Sequence, residues 1–228
     1  MSEETPGSFL PSVVLHEQLM RTPDPAADAD ALHPGRFDPP REWTPDLLPK
    51  TDYETALPAD VGLMEFNDFH DIPDHSLDQA IQRIVAVEGP VHFDVLADRL
   101  LEVAGVGRLG ARIRARIESR LETLIGPAPA DGPALERRGD FVARPLQFLK
   151  PRYRDWRTAP EKTRQLDHVS DPELMLAVLR VVLDEGIRDR ERAMNDGLHA
   201  IGFIRLTEKA RMRLQKPLEQ LKAQGWLN

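Results

Sequence analysis

The segment GVGRLGARIRARIESRLETL, residues 105–124, carries the clearest structural pattern in the chain. Ile113, Ile117, Leu121 and Leu124 follow one another at spacings of four, four and three residues, which makes one apolar stripe on an amphipathic helix. Five arginines, at positions 108, 112, 114, 116 and 120, fall in the same segment, although the 228-residue chain has a formal net charge of -8. The sequence therefore predicts a helix that packs by one face and carries positive charge beside it.

The sequence on both sides of this segment completes a recognisable order of elements. Apolar periodicity predicts a helix over residues 76–88 with Ser76 as its N-cap, a short extended piece at 90–92, and a second helix over 93–105. After a loop at 126–134, ALERRGDFVAR predicts two short strands around a turn at residues 138–140. Three helices followed by a β-hairpin are typical of a winged helix.

The same unit occurs a second time along the chain. A shift of 97 residues aligns residues 88–124 with 185–221 without a gap, and it places Gly105 on Gly202 and Arg108 on Arg205. A predicted helix over 171–184 begins this copy, whose wing strand is missing. Repetition of a whole unit indicates a repeat architecture. The predicted fold class is mainly α with small β-hairpin wings, arranged as tandem winged-helix repeats behind an extended acidic arm.

Charge and proline content divide the chain into regions. Residues 1–80 contain 17 Asp and Glu against 4 Lys and Arg, and eleven of the twenty prolines lie in residues 1–75. We predict an acidic, proline-rich, partly disordered arm at 1–75, a first repeat at 76–149, a basic linker at 150–169, and a second repeat with a truncated wing at 170–228. The arm either keeps the protein soluble or lies over the basic face and competes with phosphates.

Three short motifs point to a known family. EGPVH at 88–92, AGVGRLGARIRARIE at 104–118 and RRGDFV at 137–142 resemble the C-terminal domain of unknown function found on large bacterial superfamily-1 helicase-like proteins. The resemblance covers residues 76–228 and is strongest in 84–142. It implies a tandem winged-helix-like module that works with a helicase or nuclease. No motor precedes it here and no G-x-x-x-x-G-K-[ST] loop occurs, so ATPase activity is not expected.

The basic residues of the two third helices and of the first wing are the candidate nucleic-acid contacts. The third helix of a helix-turn-helix unit enters the major groove, where arginine suits phosphate oxygens and guanine edges. The predicted contacts are Arg108, Arg112, Arg116, Arg137, Arg138, Arg205, Lys209, Arg213 and Lys216. The alternative is that these cations form a solvated, internally paired face, with Arg108 and Arg205 serving a structural role at the turn.

The sequence contains little that indicates catalysis, a cofactor or a membrane. It has no cysteine, no nucleophile or dinucleotide motif, and no apolar run near the roughly 18 to 20 residues that span a bilayer. His70, Asp71, Asp74 and His75 follow no recognised metal-ligand spacing. We therefore expect a cytoplasmic protein without catalytic activity, cofactor, metal or membrane contact.

These observations favour a non-catalytic DNA-binding accessory module that acts with a helicase or nuclease in trans. One alternative is a protein–protein adaptor that uses its winged helices and hydrophobic anchors such as VVLHEQLM at 13–20 and VGLMEF at 61–66. A further alternative is a nuclease with an unrecognised site. Salt separates the first two, because log K for phosphate contacts falls with log salt by about 0.9 for each contact, whereas an apolar interface is nearly insensitive to salt.

Overall fold

The computed structural model describes residues 49–63, 66, 68–126, 134–186 and 189–227, and within these the chain is mainly helical with two small sheets. The helices are α1 (Pro58–Val61), α2 (Asp74–Glu88), α3 (Phe93–Val103), α4 (Ala111–Leu124), α5 (Pro145–Leu149), α6 (Asp171–Glu185), α7 (Arg190–Ala200) and α8 (Glu208–Ala223). The strands are β1 (Lys50–Asp52), β2 (Val91–His92), β3 (Glu136–Arg138), β4 (Phe141–Ala143) and β5 (Tyr153–Asp155). None of the described helices is long and apolar enough to cross a membrane.

The first copy has the elements that its sequence predicts, in the predicted order. The helices expected at 76–88, at 93–105 and in the segment 105–124 are α2, α3 and α4. α2 begins at Asp74, so Pro73 and not the predicted Ser76 is its N-cap residue. Strands β3 and β4 form an antiparallel hairpin, and β2 pairs with β4 on its other side. Gly139 has the positive φ of 59° that the hairpin turn requires. Ile117, Leu121 and Leu124 are buried as the apolar stripe of α4 predicts, so they join α2 and α3 in a first hydrophobic core.

The second copy repeats the three helices in register. α6, α7 and α8 each begin 97 residues after α2, α3 and α4, respectively. The turns before the third helices also match: Gly105 has φ 66° and Gly202 φ 101°, and their amides donate to the carbonyls of Glu102 and His199 at 3.2 and 3.0 Å. These helices enclose a second hydrophobic core. The described residues after α8 form no strand, so no second hairpin is seen there.

The described chain is folded from residue 49, within the region that the sequence assigns to the arm at 1–75. β1 runs parallel to β5, with Lys50 opposite Tyr153. Further along, Val61, Leu63 and Phe69 are buried in the first core. These anchors sit in turns and very short helices, so they follow no regular period in the sequence. Residues 1–48 of the predicted arm lie outside the described residues.

The predicted linker at 150–169 is also part of the fold. Tyr153 and Trp156 are buried in the second core, and the rings of Tyr53 and Trp156 lie 4.9 Å apart. Both linker aromatics therefore pack inside the protein, and neither presents a face to solvent. Because the linker carries core residues, the two copies are joined by packed structure.

A buried carboxylate lies where the two copies meet. Glu88, at the end of α2, has no exposed surface and accepts hydrogen bonds from the Tyr53 hydroxyl at 2.7 Å, the Ala56 amide at 3.0 Å and the Arg99 Nε at 2.8 Å. Burial, together with the negative charge of Glu88, raises the pKa of Tyr53 well above its usual range. Arg99 also donates to the Thr163 hydroxyl at 2.8 Å, so the network extends into the segment before α6.

A second buried ion pair stands beside the first. Arg154 donates to both carboxylate oxygens of Glu173, at 2.8 and 2.6 Å, and both side chains are about 1% exposed. Arg154 also donates to the Glu88 carbonyl at 2.8 Å, and the Trp156 indole N–H donates to Glu173 at 3.0 Å. Since Glu173 lies on α6 and Glu88 ends α2, this pair ties the second copy to the first.

We expect Glu173→Gln to lower the free energy of unfolding by about 3 kcal/mol, because it leaves the Arg154 guanidinium buried without its counter-charge. Asp184→Asn is the matched control, since it breaks the partly exposed Arg180–Asp184 pair on the same helix and should cost less than about 1 kcal/mol. Urea unfolding of both variants measures the difference. If both variants lower the free energy of unfolding by the same small amount, Glu173 does not stabilise the junction.

Candidate nucleic-acid interface

The two third helices, α4 and α8, carry most of the predicted contacts, and Arg116 on α4 turns inward. Its guanidinium donates to the carbonyls of Phe69, at 2.7 Å, and Ile72, and to the Asp74 carboxylate at 2.9 Å. The hydrogen bond from Arg116 lowers the pKa of Asp74. The Arg116 side chain is 20% exposed. Arg116 thus fastens the third helix to the start of the first, and its donors are used within the fold.

The second copy repeats this clamp 97 residues later. Arg213 on α8 donates to the carbonyl of Val169 at 2.6 Å and to the carboxylate of Asp171, the residues that correspond to Ile72 and Asp74. Burial raises the pKa of Asp171, but Arg213 and Lys216 outweigh this effect and lower it overall. Arg116 and Arg213, which the sequence assigns to nucleic acid, therefore perform the same structural task in both copies.

Several other cations of these helices are paired with carboxylates of their own copy. Arg114 donates to Asp94 at 2.9 Å, and the corresponding Arg211 donates to Glu191. Lys209 pairs with Asp167, and Lys216 donates to Asp171 at 3.0 Å. Lys209 and Lys216 are each 70% exposed, so their pairs are solvated and a polyanion can compete for them.

The basic wing tip is held against the body of the first copy. Arg137 pairs with Glu118 of α4 and donates to the Gly139 carbonyl at 3.0 Å. Arg138 donates to Glu136 at 2.7 Å, and its guanidinium lies 4.3 Å from the centre of the Phe148 ring. Arg137 and Arg138, which the sequence predicts to contact phosphate, are therefore engaged in contacts with their own chain.

Three of the predicted contacts have no partner among the described residues. Arg108 and Arg205 occupy the same place in the two copies, in the turn before the third helix, and Arg112 lies in the first turn of α4. All three are exposed, and their side chains form no hydrogen bond or ion pair within the described part of the chain. They are therefore available to bind an anion from outside.

The beginning of α4 adds backbone donors to these arginines. No side chain caps this helix at Gly110, and the amides of residues 107–110 make no hydrogen bond within the described chain. Gly105, Gly107 and Gly110 have nothing within 4 Å of the place where a Cβ would stand, so the backbone is open to close approach. The positive end of a helix and unpaired N–H groups favour an anion. In the second copy Thr207 caps α8 instead, through the Ala210 amide at 3.2 Å.

Next to Arg205 the second copy has an open groove of about 780 Å³. Arg157, Arg164 and His199 line it together with Phe203 and Ile204. Ile204 is 82% exposed, an unusual degree for a large apolar side chain. The groove therefore combines positive charge with an apolar surface.

Sequence reasoning missed the buried arginines of the junction and a group of histidines beside it. Arg99 occupies an apolar position of α3, between the buried Leu96 and Leu100. A charged residue at such a position could have indicated a buried arginine. His92, Asp94 and His168 come together from two regions of the chain. Burial and the neighbouring His168 ring lower the pKa of His92. His70, Asp71, Asp74 and His75 do not form such a group in the described part of the chain.

A comparison with known families matches residues 67–115 to the family described as Protein of unknown function (DUF3320). The matched segment runs from the turn before α2 into α4, so it contains the buried Glu88–Arg99 pair, Arg108 and Arg112. It is well under half of the chain. No curated protein matches the sequence, and no solved structure matches the fold.

We expect Arg116→Ala and Arg213→Ala each to lower the free energy of unfolding by about 1–3 kcal/mol, because each leaves carbonyl and carboxylate acceptors without a charged donor. Arg112→Ala, on the same helix as Arg116, should change it by less than about 0.5 kcal/mol, since its side chain has no partner in the described chain. Thermal or urea unfolding gives the comparison. If Arg116→Ala were as stable as Arg112→Ala, the clamp would have no structural role.

Proposed function

We propose that this chain is a non-catalytic DNA-binding accessory module, and that the turn before the third helix of each copy contacts phosphate. The observation that carries the proposal is the pair Arg108 and Arg205. The internal repeat keeps an arginine at this place in both copies, and both side chains are exposed without a partner in the described chain. The other arginines shared by the aligned residues 88–124 and 185–221, at 114 and 211 and at 116 and 213, are used in contacts within the described chain.

The chemistry of the turn suits a phosphate group. Arg108 and Arg112 supply guanidinium donors, and the amides of residues 107–110 supply neutral donors in the same stretch. Charge-assisted hydrogen bonds from guanidinium to phosphate are shorter and stronger than neutral ones. Such contacts position a protein on nucleic acid without reading its sequence. We therefore expect weak sequence preference and strong salt dependence.

The order of elements in the first copy supports a winged-helix interpretation. Three helices are followed by the β3–β4 hairpin, and the third helix follows a glycine-containing turn. In helix-turn-helix units the start of the recognition helix contacts the base edges, and here Arg108 and Arg112 flank the start of α4. In this proposal Arg116, Arg137, Arg138 and Arg213 hold the helices and the wing in position. A helicase or nuclease acting in trans is the proposed partner.

We expect Arg108→Ala/Arg205→Ala to weaken binding to a short DNA duplex about tenfold or more, because each change removes a charged hydrogen bond. The slope of log K against log salt should become shallower by about 0.9 for each phosphate that the variant no longer neutralises. Fluorescence anisotropy at several salt concentrations measures both quantities on one duplex.

The matched control is Arg190→Ala/Lys222→Ala. It removes the same charge from two exposed side chains that also have no partner in the described chain but lie outside the turns. We expect only the small, non-specific weakening that follows from the lower net charge. If both double variants weaken binding equally, the turns are not the contact. If the unmodified protein does not bind DNA at low salt, the proposed function is wrong.

A protein–protein adaptor is the second candidate, and the exposed apolar side chains of the second copy favour it. Ile204 is 82% exposed and Met212 63% exposed. Exposed apolar groups beside positive charge are typical of protein interaction surfaces. An interface centred on them would bind a partner with little salt dependence, and the uncharged change Ile204→Ser would weaken it while leaving DNA binding intact.

The acidic N-terminal region allows a further test. Residues 1–48 can be removed without touching β1, whereas a deletion to residue 70 would remove buried Tyr53 and Phe69. If this region competes with phosphate for the basic turns, residues 49–228 should bind DNA more tightly than the full chain at low salt. Equal affinities in the same anisotropy assay would exclude competition.

A further inference from the structure

Three potential metal ligands meet beside the junction of the two copies. His92 precedes α3, Asp94 lies in its first turn, and His168 ends the short 3-10 helix before α6. One ligand atom from each residue lies within 4.8 Å of the other two, and the two imidazole rings are 4.8 Å apart. No other such group occurs among the described residues.

The hydrogen bonds of the two rings show which nitrogen of each ring carries the lone pair that a metal needs. His168 Nδ1 lies 2.9 Å from the Thr163 carbonyl, and because a carbonyl oxygen can only accept, Nδ1 carries the proton and Nε2 the lone pair. His92 Nδ1 accepts a hydrogen bond from the Asp94 amide at 3.2 Å, so its lone pair is on Nδ1. A histidine ligand whose other nitrogen donates to a backbone carbonyl, as His168 does, is a common arrangement around bound metals.

The carboxylate of Asp94 completes the group and is itself held in place. Its Oδ1 accepts from Arg114 at 2.9 Å, while its Oδ2 is 3.8 Å from His92 Nδ1. Asp140 and Asp167 lie close enough to act electrostatically on His92. The negative charge around the two imidazoles therefore favours a cation at their centre, and it offsets the positive end of α3.

We propose that His92, Asp94 and His168 bind a divalent transition metal, with zinc as the best match, and that this ion connects the two copies. Two imidazoles and one carboxylate form a ligand set that zinc accepts in tetrahedral geometry, with water as the fourth ligand. His168 belongs to the segment that leads into the second copy, and His92 and Asp94 to the first. The site goes beyond DNA binding and does not depend on it.

Binding requires a small closure of the side chains. Zinc–nitrogen distances of about 2.0–2.1 Å place tetrahedral ligands roughly 3.3 Å apart, so the widest present separation must shorten. Asp94 is half exposed and His92 partly exposed, and their side chains can rotate toward the buried His168. The ion would replace the long hydrogen bond between the Asp94 amide and His92.

The experiment uses the full chain without a histidine tag, treated with a chelator and then titrated with Co²⁺ and Zn²⁺. We expect one Co²⁺ per chain with the intense visible absorption of a tetrahedral complex, displaced by Zn²⁺. We also expect Zn²⁺ to raise the midpoint of thermal unfolding, because it binds only the folded state. His92→Asn should abolish the visible absorption and the thermal shift, while asparagine still provides an acceptor for the Asp94 amide.

His70→Ala/His75→Ala is the matched control, because it removes two histidines outside the group and should keep both effects. Asp94→Asn is the second ligand variant, in case His92→Asn fails to fold. The proposal is overturned if the unmodified chain binds no Co²⁺, if the bound Co²⁺ has only the weak octahedral spectrum, or if a folded ligand variant binds as the unmodified chain does. If the control loses Co²⁺ binding while the ligand variants keep it, the metal is bound by His70 and His75, and the proposal is also overturned.

Discussion

Glu88 is a carboxylate with no exposed surface at the end of the first helix of the first copy, and the described fold is arranged around it. A buried charge is tolerated only where donors surround it. Tyr53 and the Ala56 amide, both from the segment after β1, and Arg99 from α3 supply these donors, and Arg154 binds its carbonyl. Moving Arg99 or the segment after β1 away from Glu88 would leave its charge unpaired in the interior. The network therefore selects one orientation of the two copies, whatever its net contribution to stability.

The two copies show which positive charges are architectural. Arg116 and Arg213 bind the same carbonyl position and the same aspartate position, 97 residues apart. Such agreement between copies is expected of a contact that each unit needs in order to fold. Arg108 and Arg205 also agree, yet their side chains form no hydrogen bond or ion pair within the described chain. In the proposed function, an arginine that both copies keep without an internal hydrogen bond or ion pair binds an external anion.

The sequence was sufficient to predict the three helices of each copy and the first hairpin, but it did not predict the short helices α1 and α5 or the junction. α2, α3, α4 and α6 follow regular apolar periods, which reveal a helix without tertiary information. The segment from residue 49 to 73 anchors itself through single apolar residues in turns, for which no period exists. A different reason applies to the buried charged residues Arg99, Arg154 and Glu173. Charged residues normally lie on the surface, so the sequence does not predict their burial, which only their ion-pair partners in the fold explain. His92 and His168 likewise meet only through the fold.

The packed junction affects how the two copies can bind one ligand together. In many tandem modules a flexible linker lets each unit find its own binding site. The strength of the second binding step then depends on the effective concentration that the linker sets. Here buried side chains from the linker fix one copy against the other. The distance between the two turns is therefore fixed before a polyanion binds. Binding at the second turn then carries no further entropic cost for orienting the second copy, because folding has already oriented it. Ligands too short to bridge that span would gain nothing from the duplication.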